Sequence, residues 1–212
     1  MFPDFSFEKL FWDKKCLVIG VDEVGRGALA GPIYAGAICF YPEEAEKIQK
    51  LKIKDCKALS PVQRIQTSKT IYEYTSAFCI SSISTDVINK KGISYANREA
   101  LKLAVRGLLD KIKPKEKKII VLVDGYPVPD LETLGVTQVS ILQGDSKSIS
   151  IASASVIAKV ARDTYMITLH EEFPMYAWKE NKGYGTKRHL EGLKKHKSCK
   201  YHRTLFIRKA LS

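Results

Sequence analysis

Apolar positions along this chain recur with two different periods, and the switches between those periods mark its elements. Residues 16–21 form a short apolar run rich in β-branched side chains, the length of one buried strand, and residues 33–40 form a second run after Pro32. Residues 78–83 alternate more weakly, Phe78, Ile80 and Ser82 against Cys79, Ser81 and Ile83, and predict a third strand. Residues 119–123 are continuously apolar, as expected of a strand covered on both faces after a helical crossover, and 138–142 add a short strand closed by Gly144 and Asp145. Between these runs the period lengthens. Leu101, Val105, Leu108 and Ile112 recur at four-three-four spacing and predict a helix over 94–112, ended at Pro114. Residues 148–170 predict one long helix whose Ala152, Ser153, Ala154, Ser155, Ala158 and Ala161 would let it lie close against a sheet. Another helix is marked by its start: Ser60 caps it, Pro61 suits its first position and Gln63 completes a capping box, with Val62, Ile65 and Tyr72 expected to face inward. Shorter helices are expected over 42–50 and from the cap Thr186 to the basic run 194–197.

The stretch that organises the rest is 16–40, where two strands flank Asp22, Glu23, Gly25, Arg26, Gly27 and Gly31. Adjacent carboxylates at the end of a buried strand repel each other and resist desolvation, so they need hydrogen bonds, cationic partners or a bound metal. By themselves Asp22 and Glu23 are also what a solvated turn after a strand would carry. The glycines loosely imitate a dinucleotide fingerprint, but Pro32 leads into strand rather than helix, and the acids before the turn would repel a pyrophosphate. No P-loop Gly-Lys-Ser/Thr follows. What remains is a turn whose exposed amides can approach a sugar–phosphate backbone while the acids hold a cation between protein and phosphate.

Composition narrows the partner. At 212 residues the chain is long enough for one large domain, or one domain with a small extension, and no linker splits it. Its 35 basic against 23 acidic residues leave a formal charge of +12, which favours a polyanion such as nucleic acid. The five cysteines are odd in number and form no C-x-x-C, so they are expected to be reduced thiols of an intracellular, cytoplasmic protein. Residues 1–13 lack the basic and apolar regions of a signal peptide. The longest uncharged stretch, 27–42, is broken by Gly31, Pro32 and Gly36 and falls short of a membrane-spanning helix.

Two further clusters carry two readings each. Tyr176, Trp178 and Tyr184, among Lys179 and Lys182, suit a nucleic-acid surface, while Phe173, Tyr176 and Trp178 would equally fill a minor core under a loop. His196, Cys199 and His202 have a loose metal-like spacing without a fourth ligand, so zinc is not expected there. Among the acids, Asp145 taken alone could simply face the dipole of the following helix. Taken with Asp22, Glu23 and Asp124, all at strand ends, it could complete a four-carboxylate cluster. Such a cluster suits two divalent ions roughly 3.5–4 Å apart that clamp a phosphodiester and activate water. Oxygen ligands select magnesium or manganese over zinc. The competing hypothesis is a non-catalytic, basic nucleic-acid-binding module, which gains nothing from carboxylates that repel phosphate.

These residues also carry a family resemblance. Gly20-Val21-Asp22-Glu23-Val24-Gly25-Arg26-Gly27 with Leu29-Ala30-Gly31-Pro32, Asp55-Cys56-Lys57-Ala58-Leu59-Ser60, Val123-Asp124-Gly125 and Gly144-Asp145 come in order. They are followed by SIASASVIAKVARD over 150–163, Lys182-Gly183-Tyr184-Gly185-Thr186 and His202-Arg203. Together they resemble ribonuclease HII, the type 2 ribonuclease H family, nearly from end to end. The resemblance implies an α/β, RNase H-like fold with a mixed central sheet flanked by helices over residues 1–172, and a helical C-terminal extension over 173–212 that contributes to substrate binding. It implies an endonuclease that hydrolyses RNA in RNA–DNA hybrids and incises at ribonucleotides embedded in duplex DNA, using Mg2+ or Mn2+; a monomer is expected. The positions matching Asp22, Glu23, Asp124 and Asp145 would carry the metal ions. Those matching Gly25, Arg26 and Gly27 would read the 2′-hydroxyl and flanking phosphates, and that matching Tyr184 would stack on the sugar at the RNA-to-DNA junction. Another nuclease or recombinase of the same fold is argued against by the Gly25-Arg26-Gly27 and Tyr184 motifs. The departures are Cys56 where the family usually has serine, Ser153 inside a usual run of alanines, and Ala177, Trp178 and Asn181 before Tyr184. None falls on an acid.

Overall fold

The computed structural model of the chain describes residues 2–51, 53, 56, 59–75, 77–114 and 118–211. Five strands, β1 (Leu17–Val24), β2 (Ile33–Cys39), β3 (Phe78–Ile83), β4 (Ile119–Asp124) and β5 (Thr137–Ile141), form one mixed sheet in the order β3-β2-β1-β4-β5. β1 is antiparallel to β2 and parallel to β4, and β4 is parallel to β5. The helices are α1 (Ser6–Trp12), α2 (Ala45–Lys50), α3 (Pro61–Tyr74), α4 (Thr85–Lys91), α5 (Ile93–Ile112), α6 (Ile149–Glu172), α7 (Trp178–Asn181), α8 (Lys187–His196) and α9 (Thr204–Leu211).

Strand alternation divides the core in two. On β1 and β4, Leu17, Ile19, Val21, Val121 and Val123 pack with Ala96, Leu101, Val105 and Leu108 of α5. Val18, Ile120 and Leu122 point the other way, toward Ile151 of α6 and the apolar side of α1. Because side chains alternate with a period of two, Asp22 and Asp124 continue the series facing α6, whereas Glu23 continues the series facing α5. The small residues of α6 let it sit almost on the sheet. A Cβ at Gly20 would overlap the backbone at Ser150, and one at Gly36 would overlap the Ala154 carbonyl, so these two glycines admit the helix.

The ladder also places the acids. The parallel pairing of β1 with β4 stops at Val21↔Val123, while the antiparallel pairing with β2 runs on through Asp22↔Gly36 and Glu23↔Ala35 to Val24↔Tyr34. The expected first strand, 16–21, is therefore too short. Asp22 and Glu23 lie inside β1 on a segment that has outrun β4, with one edge paired and the other open. Asp124 likewise is the last residue of β4.

The Ser60 capping box forms as expected, with Gln63 N–H donating to Ser60 Oγ at 3.3 Å and Ser60 N–H donating to Gln63 Oε1 at 2.9 Å. The inward face of α3 differs from the expected one. Val62 and Ile65 are exposed, Tyr72 is partly so and leans on Phe78, and the buried positions are Ser68 and Ile71. Arg64 explains the rotation: its guanidinium donates to the carbonyls of Cys56 and Leu59 and pairs with Asp163 of α6, so a polar side chain occupies the inner face. The weak 78–83 strand is present, whereas α1, α4 and α9 were not expected. Of the Asp55–Ala58 stretch, Asp55, Lys57 and Ala58 lie outside the described residues.

Candidate active site

Four acids meet at the carboxyl ends of β1 and β4. Asp22 is buried, and burial is the first cause that pushes its carboxyl well above the usual carboxylate range; the charges of Glu23, Asp124 and Asp145 push it in the same direction. A hydrogen bond from Ser155 of α6 opposes this, and Cys56 Sγ lies 3.1 Å from Ser155 Oγ. With the hydroxyl proton given to Asp22, the thiol donates to Ser155, so the Cys56 departure keeps the donor that a serine would supply. Asp22 Oδ1 also accepts from the Glu23 N–H at 2.7 Å. Asp124 Oδ1 accepts from the Gly144 N–H at 2.6 Å, which ties the end of β4 to the turn Gly144–Ser146 that carries Asp145. Asp145 is itself buried. Its place among the acids is thus fixed by a bond as well as by its position before α6.

All four candidate ligands carry oxygen donors, and three of them raise the carboxyl of the fourth. A divalent cation relieves that repulsion, so the donor set fits Mg2+ or Mn2+. The side chains do not close on one point: among the described residues no three His, Cys, Asp or Glu side chains are drawn together tightly enough to hold an ion unaided. Asp22 and Asp124 instead spend an oxygen each on a backbone N–H, and Glu23 leans toward Arg26 at 3.8 Å.

The turn after β1 rests on two buried arginines. Gly25 adopts φ +94°, and a Cβ there would overlap Arg162 Nε. Arg162 donates to the carbonyls of Pro32, Ala30 and Lys182 at 2.8–3.1 Å. Arg203 donates to those of Gly31 at 3.0 Å and Arg26 at 2.9 Å. Neither arginine is exposed, and burial pushes both below their ordinary values, Arg203 to about 9. They place positive charge directly beneath the turn. Arg26 and Gly27 stand at its exposed crest, and a Cβ at Gly27 would meet nothing within 4 Å.

Tyr184 joins the same site from the C-terminal side. Its ring has Arg162 at 5.4 Å and Lys159 at 5.6 Å, and the preceding Gly183 accepts hydrogen bonds from the Leu29 and Ala30 N–H groups at 2.8 and 3.2 Å. One guanidinium therefore underlies both Gly25 and Tyr184. The neighbouring aromatics divide differently. Tyr176 and Trp178 are buried with Leu29, Met166, Leu169 and Leu193, and Phe173 packs against that cluster, so these three are core rather than nucleic-acid surface. Arg162 and Arg203 carry the geometry of the turn, yet sequence reasoning gave them no role. Both stand inside motifs that carry the family resemblance, but their partners are backbone carbonyls, so the sequence does not show what they hold.

The site agrees with relationships visible across the whole chain. The family model for ribonuclease HII matches residues 19–209. A ribonuclease HII of Caldicellulosiruptor bescii is 39% identical over 205 residues, covering 97% of this chain and 93% of that protein. Among solved structures, the RNase HII of Archaeoglobus fulgidus in a PCNA:RNase HII complex superposes with a TM-score of 0.74 at 26% identity, covering 92% of this chain and 95% of that one. A Bst-RNase HIII solved with Mn2+ shares the fold, with a TM-score of 0.75 at 19% identity over 92% of this chain and 69% of that one. With the family's motifs gathered at one end of the sheet and its model matched over nearly all the residues, the chain belongs to the ribonuclease HII family of endoribonucleases.

Proposed function

We propose that the chain hydrolyses the RNA strand of RNA–DNA hybrids and also incises duplex DNA at single embedded ribonucleotides. The observation that carries this reading is the Asp22 carboxyl, held high first by its burial and then by three other carboxylates, beside an exposed glycine turn on a strongly basic chain. A fold that kept such a cluster only for structure would be paying for repulsion without return. Asp22, Glu23, Asp124 and Asp145 would supply the oxygen ligands. Bound divalent ions, magnesium or manganese, would polarise the scissile phosphodiester and make water nucleophilic near neutral pH.

The chain's own residues then divide the remaining work. The crest at Gly25 to Gly27 presents backbone close enough to test for a 2′-hydroxyl, the group that distinguishes RNA from DNA. Arg162 and Arg203 support that crest from below and favour phosphate above it. Tyr184 would pack against a sugar lacking the 2′-hydroxyl, so the preferred step is a ribonucleotide followed by a deoxyribonucleotide. Residues 1–172 would carry the chemistry and 173–212 the junction contact. The test is a pair of kcat/KM values for Tyr184→Ala, one on a single embedded ribonucleotide and one on a uniform hybrid. A larger loss on the single ribonucleotide supports the reading, and equal losses leave Tyr184 as a packing residue.

A further inference from the structure

Two of the residues with metal-like spacing near the C-terminus, Cys199 and His202, do something else. His202 and Cys199 meet His189 of α8 in a buried chain of hydrogen bonds that ends on the backbone of Tyr184. Cys199 N–H donates to His202 Nδ1 at 3.0 Å, the two histidines meet Nε2 to Nε2 at 3.1 Å, and His189 Nδ1 lies 2.9 Å from the Tyr184 carbonyl oxygen. Trp178 Nε1 is 3.1 Å from His189 Nε2.

Groups with fixed roles settle where the protons are. The Cys199 amide only donates, so His202 Nδ1 is an acceptor and its proton sits on Nε2. The indole of Trp178 only donates, so His189 Nε2 is an acceptor, and the Tyr184 carbonyl only accepts, so the His189 proton sits on Nδ1. The two assignments agree: His202 Nε2–H and Trp178 Nε1–H, each 3.1 Å away, share the single lone pair of His189 Nε2 in a three-centre hydrogen bond. Both rings are fully buried and neutral, since burial lowers both and takes His202 to about 4. The far end is anchored as well, because His202 pairs with Ala30 and its carbonyl accepts from Asn89 Nδ2 at 3.0 Å.

We propose that His189 is a positioning residue for Tyr184, held by His202 and Trp178 in the one tautomer that can donate to the Tyr184 carbonyl. The chain fixes the tyrosine relative to the turn at residues 29–31, and so sets the distance between the ribose-reading crest and the junction-reading ring. This rests on the junction role proposed for Tyr184. It predicts that His189 governs the preference for a single embedded ribonucleotide over a uniform hybrid, rather than turnover in general.

Two substitutions separate donor loss from packing loss. An asparagine amide can occupy the place of Nδ1 and still donate, whereas a glutamine amide reaches only the place of Nε2. His189→Gln should lower the ratio of kcat/KM values, single ribonucleotide over uniform hybrid, by about tenfold, the effect of one hydrogen bond. His189→Asn should stay within about threefold of the parent ratio. Combined with Tyr184→Ala, His189→Gln should cause no further change in the ratio. Equal ratios for the two histidine variants, or an undiminished effect in the Tyr184→Ala background, would overturn the proposal. If Tyr184→Ala alone leaves the ratio unchanged, the junction reading fails, which is a separate result. In that case, or if the variants do not fold, 15N spectra of the unmodified protein's imidazoles at neutral pH decide. Nδ1–H on His189 and Nε2–H on His202 support the assignment, and any other pair of tautomers, or a charged ring, refutes it.

Discussion

Gly27→Ala isolates substrate approach from folding, because the structure makes opposite demands at neighbouring glycines. A Cβ at Gly27 would meet nothing within 4 Å, and its φ lies outside the left-handed region, so the folded chain accepts alanine without strain. Alanine also narrows the unfolded ensemble, which should stabilise the protein by about 0.4–1 kcal/mol, a rise in Tm of roughly 1–4 °C for a chain of this size. The empty space is where substrate must come if the crest reads the 2′-hydroxyl through its backbone. A methyl group there would hold the sugar–phosphate off and cost at least one hydrogen bond to a charged phosphate oxygen, about 1.5–3 kcal/mol. That corresponds to a loss of about 10- to 150-fold in kcat/KM. The assay is kcat/KM on duplex DNA carrying one ribonucleotide, measured beside a thermal melt. An unchanged kcat/KM in a protein with normal Tm would refute backbone reading at this turn. A loss of activity matched by a fall in Tm would refute the claim that the site around Gly27 is open.

Gly25→Ala should behave in the opposite way. Its φ of +94° and the overlap of a Cβ with Arg162 Nε predict destabilisation of at least about 2 kcal/mol, read as a fall in Tm of roughly 4–8 °C; a neutral melt would show that Arg162 yields readily. Asp124→Asn should lower turnover by orders of magnitude while leaving hybrid binding and fold intact, since the amide oxygen can still accept from Gly144 N–H. Near-normal turnover under saturating magnesium would remove Asp124 from the ligand set. Magnesium should raise Tm, and more so at pH 8 than at pH 5.5. The raised Asp22 pKa means that protonation stabilises the metal-free fold at low pH, and that this stabilisation is lost as pH rises through the folded pKa, where the ion can replace the proton. The buried histidines have lowered values and act oppositely, losing stability as pH falls below about 6.5, but they contribute equally with and without the ion, so the magnesium increment isolates the acids. An increment that is the same at both pH values would argue against proton–metal competition at Asp22.

The sheet was legible because its signals are local. Two apolar runs around a glycine turn, a continuous run ending in Asp124 and a helix of small residues were enough to predict the strands and to leave a meeting of Asp22, Asp124 and Asp145 open; the Asp124–Gly144 bond draws the Asp145 turn in, and strand parity puts Asp22 and Asp124 on the α6 side. What escaped is held by groups without a periodic trace. Arg162 and Arg203 bond to carbonyls 130 and 172 residues away in the chain. His189 and His202 lie on different elements, and only the fold reveals that their rings touch. α3 presents a different face from the one its apolar positions predict: Val62 and Ile65 look like a buried face, yet the inner positions are set by the bonds of Arg64. α4 leaves little trace in the sequence although the Ser84 side chain caps it, because its apolar content is only Val87 and Ile88.

The central claim is that the four acids serve metal-dependent hydrolysis at a ribonucleotide. The most direct test is incision of duplex DNA containing one ribonucleotide, by the unmodified protein and by Asp22→Asn, with magnesium and with chelator. The account predicts a single cut at the ribonucleotide by the unmodified protein with magnesium, and no cut by Asp22→Asn or by either protein in chelator. Cutting that persists in chelator, or in Asp22→Asn at a rate near that of the unmodified protein, would contradict it.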